Sequence, residues 1–287
     1  TMATGSTQSR PSARSRDFHT LTVADVEQLC DDAAAVTFEV PADLTEHFAF
    51  RPGESLTLRR VVDGVEHRRS YSICAPVGTA PRVGVREIDG GLFSSWLVHE
   101  VRAGDQIDVM APSGTFYADP HAGGRHLLIA AGSGITPMLS IASSLLEHSD
   151  AQVTVIYVNR RTRSVMFAEE LADLKDEYGP RFDIIHVLSR EPREVELFSG
   201  RLDRERLDSI LDTVVPTDDV DDFWLCGPLD MVEGAKRSLA ERGVDAVRIH
   251  NELFYVEAVP PPVARHREST GSGPTSEVTL TLDLSLI

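Results

Sequence analysis

Apolar and polar positions along this chain follow two rhythms, and the rhythm changes once. From Phe18 onward, short runs alternate apolar with polar residues: Ala35–Val40, Ser55–Val61, Arg82–Ile88 and Gln106–Met110. Turn-forming segments separate them, among them Arg51-Pro52-Gly53-Glu54, Asp63-Gly64, Asp89-Gly90-Gly91 and Ala103-Gly104-Asp105. Alternation with a period of two lays one face of each strand on a core. Many short strands at close spacing predict a small antiparallel β-barrel. One helix interrupts them, Leu92 to Val101, with Phe93, Trp96 and Leu97 on one face.

Past His121-Ala122-Gly123-Gly124, apolar strands alternate with amphipathic helices. The expected series is strand His126–Ala131, helix Thr136–Glu147, strand Gln152–Asn159, helix Ser164–Tyr178 and strand Phe182–Ser189. Helix Asp203–Leu211, strand Asp222–Cys226, helix Leu229–Arg242 and strand Ala246–Leu253 complete it. Continuous apolar strands with helical crossovers predict an α/β doubly wound parallel sheet. The pattern therefore divides the chain into a polar, disordered lead (1–17), a barrel (18–119), an α/β domain (120–256), a Pro/Ser/Thr/Gly-rich linker (257–276) and a last alternating stretch (277–287). A lone strand without a partner is not a domain, so either that stretch is the first strand of a further domain cut short, which is the expectation here, or it pairs elsewhere.

The 287 residues suffice for two cores. No apolar run approaches a membrane span, and the polar lead lacks the apolar centre of a signal peptide. A net charge of −17 is the reverse of a nucleic-acid-binding footprint. It either keeps the protein soluble or steers a basic partner. Three cysteines, Cys30, Cys74 and Cys226, stand apart without metal-ligand spacing, and the odd count argues for a reducing, cytoplasmic setting. The dispersed histidines assign no metal.

Five short motifs within this frame bear on chemistry. In Arg69-Ser70-Tyr71-Ser72 a strand puts Arg69 and Tyr71 on one face and both serines on the other. The set offers a phosphate clamp, a ring to stack and a hydroxyl for a ring nitrogen, although such strands also occur on plain barrel surfaces. Gly90-Gly91-Leu92-Phe93-Ser94 opens a helix whose free N–H groups suit a pyrophosphate, or is an ordinary N-cap. Gly132-Ser133-Gly134-Ile135-Thr136-Pro137 follows a buried strand and opens a helix. It lacks the full Gly-x-Gly-x-x-Gly spacing, yet strand, glycine turn and helix together point to a nucleotide.

Asn159, Arg160, Arg161 and Arg163 after one strand, and Ser189-Arg190 after the next, gather cations where such sheets bind ligands. They suit a 2′-phosphate, unless the arginines only pair local carboxylates. Cys226-Gly227-Pro228 ends another strand. It lets a flat ring approach closely, or is a buried structural thiol.

In this order and spacing, over residues 18–256, the motifs resemble the ferredoxin–NADP reductase superfamily. The resemblance implies FAD and NADP(H) as cofactors, with Arg69 on the flavin phosphates, Tyr71 against the isoalloxazine and Ser72 beside its reactive nitrogen. Val85, Arg86 and the Gly91, Leu92, Phe93, Ser94 turn complete the FAD site. Gly132, Ser133, Gly134, Thr136 and Pro137 would line the NADP(H) site, with Asn159, Arg160, Arg163, Ser189 and Arg190 around the 2′-phosphate. Cys226, Gly227 and Pro228 would meet the nicotinamide, and Glu252 with Phe254 would close the flavin end. Tyr71, Ser72, Cys226 and Glu252 are the expected catalytic set.

Arg-Ser-Tyr-Ser-Ile-Cys and the Glu252-Leu253-Phe254-Tyr255-Val256 ending are similar to oxygenase reductases, those of phenylacetyl-CoA epoxidases first, with ring and steroid hydroxylases close by. Such reductases carry a C-terminal plant-type ferredoxin domain, which needs four thiolates. Residues 277–287 hold no cysteine, so no [2Fe–2S] cluster is expected in this chain. The expected partner is an oxygenase or a ferredoxin-type acceptor, and the expected state a monomer or weak oligomer. A stand-alone reductase, and a redox-inert nucleotide-binding subunit, remain as alternatives.

Overall fold

The computed structural model describes residues 17–254. The expected linker, the alternating stretch 277–287 and Tyr255-Val256 lie outside the described residues. Six strands build the first sheet: β1 (Phe18–Cys30), β2 (Ala33–Glu39), β3 (Ser55–Val62), β4 (Val65–Ser72), β5 (Arg82–Arg86) and β6 (Gln106–Met110), with α1 (Leu92–His99) between β5 and β6. They pair antiparallel in the order β4-β3-β6-β1-β2-β5. A bridge between Ile73 and Val83 brings the two ends of that order back together. Alternate residues Leu56, Leu58, Val83, Val85, Ile107 and Val109 fill the interior with Phe38 and Leu97, as a half-buried pleat requires.

The second sheet holds β7 (Arg125–Ala131), β8 (Gln152–Asn159), β9 (Phe182–Leu188), β10 (Asp222–Gly227) and β11 (Ile249–Leu253), all parallel, in the order β11-β10-β7-β8-β9. Helices α2 (Ile135–His148) and α3 (Ala168–Tyr178) cover one face with Leu128, Val155 and Tyr157. Helices α4 (Arg204–Thr213) and α5 (Leu229–Glu241) cover the other with Leu127, Ile129 and Ile156. Helices on both faces of a parallel sheet are the expected doubly wound arrangement.

Three elements differ most from the sequence expectation. The longest strand, β1, spans 13 residues, but bulges at Val23/Asp25 and Gln28/Cys30 break its alternation and hid it. The helix expected from Ser164 begins at Ala168, because Phe167 takes a left-handed conformation (φ 58°) that an α-helix cannot contain. The strand expected from Ala246 begins at Ile249, because Asp245 accepts the Val247 N–H and caps a short 3₁₀ turn first.

The two domains meet over polar contacts, one of them fully buried, and close packing. On α2, Ser140 donates to the Ala75 carbonyl at 2.7 Å, and Ser144 accepts the Val77 N–H at 3.0 Å. Arg82 of β5 reaches Glu170 of α3 at 2.6 Å and Glu27 of β1 at 2.7 Å. Gly84 lies directly against Thr136 and Phe167. The cysteines Cys30, Cys74 and Cys226 are free thiols.

Candidate functional site

β4 delivers its chemistry by register. Leu56 of β3 stands opposite Tyr71, and Leu58 opposite Arg69, so the Tyr71–Arg69 face is the one that turns toward the barrel interior. The Tyr71 ring is buried 6.2 Å from the Phe93 ring, and burial raises its phenol far above the usual range, Arg69 opposing the shift. Arg69 is half-buried and, among the described residues, donates to the Arg68 carbonyl alone, at 2.7 Å. Ser72, on the opposite face, is buried and donates to Glu252 Oε2 at 3.5 Å.

Glu252 comes from β11, where it pairs with Cys226 of β10. Burial pushes its carboxyl up to about 7, with the Ser72 hydroxyl pulling the other way. The Cys226 thiol is fully buried, and burial, then the nearby Glu252 carboxylate, holds it well above its ordinary range. It is a neutral, compact side chain at the strand end, not a thiolate. A Cβ on Gly134 would collide with the Cys226 carbonyl and crowd its Sγ. The glycine turn after β7 and the end of β10 are thus in backbone contact. Phe254 donates its N–H to the Gly227 carbonyl at 2.9 Å, and Pro228 starts α5 exposed.

Tyr157 fixes the glycine turn from below. Its buried hydroxyl donates to the Gly132 carbonyl at 3.1 Å and accepts the Met166 N–H at 3.2 Å. Thr136 donates to the Ser133 carbonyl at 2.9 Å, and Pro137 is buried within the first turn of α2. Beyond the ends of β8 and β9 lies a cleft of about 370 Å³, lined by Arg86, Arg160, Arg163 and Arg190 with Asp31 and Asp32 from the β1–β2 turn. Among the described residues, no carboxylate lies within ion-pair range of Arg160, Arg163 or Arg190. Asn159, the last residue of β8, is 5% exposed and its Nδ2 has no partner among the described residues, a buried donor left uncompensated.

Some expected residues are placed differently from the rest. Arg86 is already engaged by Asp32 at 3.0 Å and the Ser164 carbonyl at 2.6 Å, which ties the two domains together. Val85 is sealed in the barrel core. The Ser94 hydroxyl is buried and accepts the Ile88 N–H at 3.0 Å, so it shapes the turn before α1. Leu92 is exposed, Phe93 buried, and Ser189 sits half-buried beside exposed Arg190. Sequence reasoning missed Tyr157, Phe167 and the Arg82–Glu170 pair, because their partners lie in distant segments.

The residues fit a flavin and a dinucleotide. Gly91 provides no side-chain cap for α1, so first-turn N–H groups carry no side-chain acceptor. Gly134 leaves a cradle that a Cβ would fill, and Asn159 offers the orphaned donor.

Residues 20–117 match the oxidoreductase FAD-binding domain and residues 128–237 the oxidoreductase NAD-binding domain. The chain belongs to the FAD- and NAD-binding oxidoreductases of the ferredoxin–NADP reductase type. It is 43% identical over 241 residues to one of the subunits of the 1,2-phenylacetyl-CoA epoxidase of Escherichia coli, covering 83% of this chain and 68% of that protein. It is 34% identical over 237 residues to the ferredoxin reductase component of 3-ketosteroid-9-alpha-monooxygenase of Rhodococcus rhodochrous, covering 82% of this chain and 64% of that protein. The chain thus spans about two thirds of the length of these relatives. In structure it is similar to the flavohem-like FAD/NAD-binding domain of nitric oxide dioxygenase from Vibrio cholerae, with a TM-score of 0.71 at 28% identity, covering 83% of this chain and 99% of that one.

Proposed function

We propose that this chain oxidises NADPH at a bound FAD and passes the electrons singly to an oxygenase or ferredoxin-type acceptor. The observation that carries this reading is the meeting of Ser72, Glu252 and Cys226. Side chains from both domains converge there, at the carboxyl ends of strands where α/β sheets bind nucleotides. FAD, when bound, accepts two electrons together and gives them up one at a time.

The chain's own residues hold and orient. Arg69 and the N–H groups from Gly91 to Ser94 take the flavin phosphates, Tyr71 packs against the ring, and the Ser72 hydroxyl hydrogen-bonds a ring nitrogen. Gly132, Ser133, Gly134 and Thr136 receive the dinucleotide, and Arg160, Arg163, Ser189 and Arg190 take its 2′-phosphate. The guanidinium groups of Arg160, Arg163 and Arg190, without an ion-pair partner among the described residues and in one cleft of a chain with net charge −17, support NADPH over NADH. Neutral Cys226, with Gly227 and Pro228, lets the nicotinamide approach without repelling it, and Phe254 closes the flavin end. Proximity is the main catalytic contribution. The Glu252 carboxyl, pushed up to about 7, gains or loses its own proton around neutrality, and its Oε2 accepts the Ser72 hydroxyl.

The domain limits follow this division, with FAD held by residues 18–119 and NADPH by 120–256. An oxygenase as acceptor is supported by the relatives' names, and a cytoplasmic location by the free thiols. No helix among the described residues is long and apolar enough to cross a membrane.

An anaerobic visible spectrum during titration with NADPH, then NADH, tests the proposal. A flavin band that bleaches with NADPH and far less readily with NADH is the expected result. A colourless protein, or a flavin that neither nucleotide bleaches, would overturn it.

A further inference from the structure

Arg60 and Trp96 belong to none of the motifs above, yet they stand at the mouth of the flavin site. On paired β3 and β4, Tyr71 faces Leu56, Arg69 faces Leu58, and His67 faces Arg60. These six residues share one face, because opposed residues and alternate residues point the same way. Along that face, Arg69 lies two residues from Tyr71, about 7 Å, and the Arg60 rung four residues from it, about 13 Å. Tyr71, Arg69 and Arg60 therefore form a line from the buried ring outward.

The Arg60 guanidinium sits 4.3 Å over the Trp96 ring, and its Nη1 is 3.4 Å from the Leu92 carbonyl, at the first turn of α1. A cation over an indole face is held in place without using up its hydrogen-bond donors. The neighbouring arginines on the opposite face are neutralised. Arg59 pairs with Asp108 at 2.9 Å, and Arg68 with Glu66 at 2.6 Å. Arg60 and Arg69, among the described residues, have no carboxylate partner. Two unpaired cations on one line, beside a helix start with no side-chain cap, match a ligand with two successive phosphates.

We propose that Arg60, braced by Trp96, anchors the distal phosphate of FAD and makes the site select FAD over FMN. FMN ends at the phosphate that Arg69 takes, whereas FAD continues to a second phosphate and an adenosine. The inference rests on the flavin reading above.

The test uses the full chain stripped of flavin, titrated with FAD and with FMN by flavin fluorescence, for wild type, Arg60→Gln, Arg60→Lys and Arg69→Gln. Losing one charge-assisted phosphate contact in Arg60→Gln should raise the FAD Kd roughly ten- to a hundredfold and change the FMN Kd less than about twofold. Arg60→Lys should recover part of the loss, and Arg69→Gln should weaken both flavins. Retained FMN binding also shows that Arg60→Gln is folded. Unchanged FAD affinity in Arg60→Gln, or equal losses for both flavins, would overturn the role of Arg60. Should wild type bind neither flavin, the flavin reading falls and this inference with it.

Discussion

The Ser72 hydroxyl donates to Glu252 Oε2 at 3.5 Å, across 180 residues of chain and across the seam between the two domains. One end of the contact sits in the barrel strand that carries Tyr71, the other on the parallel strand beside Cys226. A single hydrogen bond thus joins the proposed flavin and nicotinamide halves of the site.

Ser72→Ala removes that donor while leaving the strand and Tyr71 in place. Losing a hydrogen bond to a partly charged partner costs about 1.5 kcal/mol, or roughly tenfold in rate. Stopped-flow reduction by NADPH should slow by about that factor, with FAD still bound after gel filtration. Unchanged kinetics would take Ser72 out of the mechanism.

Glu252 sets a pH dependence. Its carboxyl lies near 7 in the folded chain, against 4.5 for an ordinary glutamate. The folded state therefore holds a proton that the unfolded state has already released. Stability from this group is greatest below pH 4.5, falls as pH rises from 4.5 to about 7, and is level above. Urea titrations between about pH 5 and pH 8 should show wild type losing about 1–2 kcal/mol more than Glu252→Gln. The rate of flavin reduction should break near neutrality in wild type and lose that break in the variant. If Glu252→Gln keeps both behaviours, another group titrates there.

How far the sequence showed this site follows from contiguity. Arg69, Tyr71 and Ser72 were legible because one strand orders them, and Gly132, Gly134 and Thr136 because one strand–turn–helix unit does. Cys226 was legible locally only as a small side chain before Gly-Pro at a strand end, and Glu252 could be named only through family likeness, since nothing local states that β10 and β11 pair there in register. Tyr157, which pins the Gly132 carbonyl from the next strand, gave no sequence signal. Arg86 and Ser94 had the right residue types for phosphate contacts, but Asp32 and the Ile88 N–H engage them in the fold. Bulges hid β1, and a left-handed Phe167 moved the start of α3. Each is a tertiary or backbone event that periodicity does not report.

The arginine cleft makes a nucleotide-specific prediction. Arg190 is exposed, free of carboxylate partners among the described residues, and borders the same cleft as Arg160 and Arg163. Arg190→Ala should raise the KM for NADPH roughly tenfold or more, the cost of one charge-assisted phosphate contact. The KM for NADH, which has no 2′-phosphate, should stay within about twofold. Parallel rises for both nucleotides would place Arg190 away from the 2′-phosphate.

The domain seam makes the last. Gly84 of β5 faces Thr136 and Phe167 so closely that a Cβ there would stand 2.5 Å from Thr136 Cγ2 and 2.8 Å from Phe167 Cζ. Neither neighbour moves freely. Thr136 is anchored by its hydroxyl to Ser133, and the Phe167 ring lies 5.3 Å under the Arg82 guanidinium, which Glu170 and Glu27 hold. Gly84→Ala must therefore push the α/β domain off the barrel instead of being absorbed locally. Overpacking of this kind costs about 1–3 kcal/mol, so Tm should fall. FAD affinity should change little, because Arg69, Tyr71, Ser72 and the Gly91–Ser94 turn, which take most of the flavin, all belong to the barrel. Reduction by NADPH should slow, because a shift of about 1 Å between reacting groups costs up to a hundredfold. Measured side by side, Tm, FAD affinity and reduction rate separate the outcomes. A variant that keeps wild-type reduction kinetics would show that the seam at Gly84 does not set the distance between the two halves of the site.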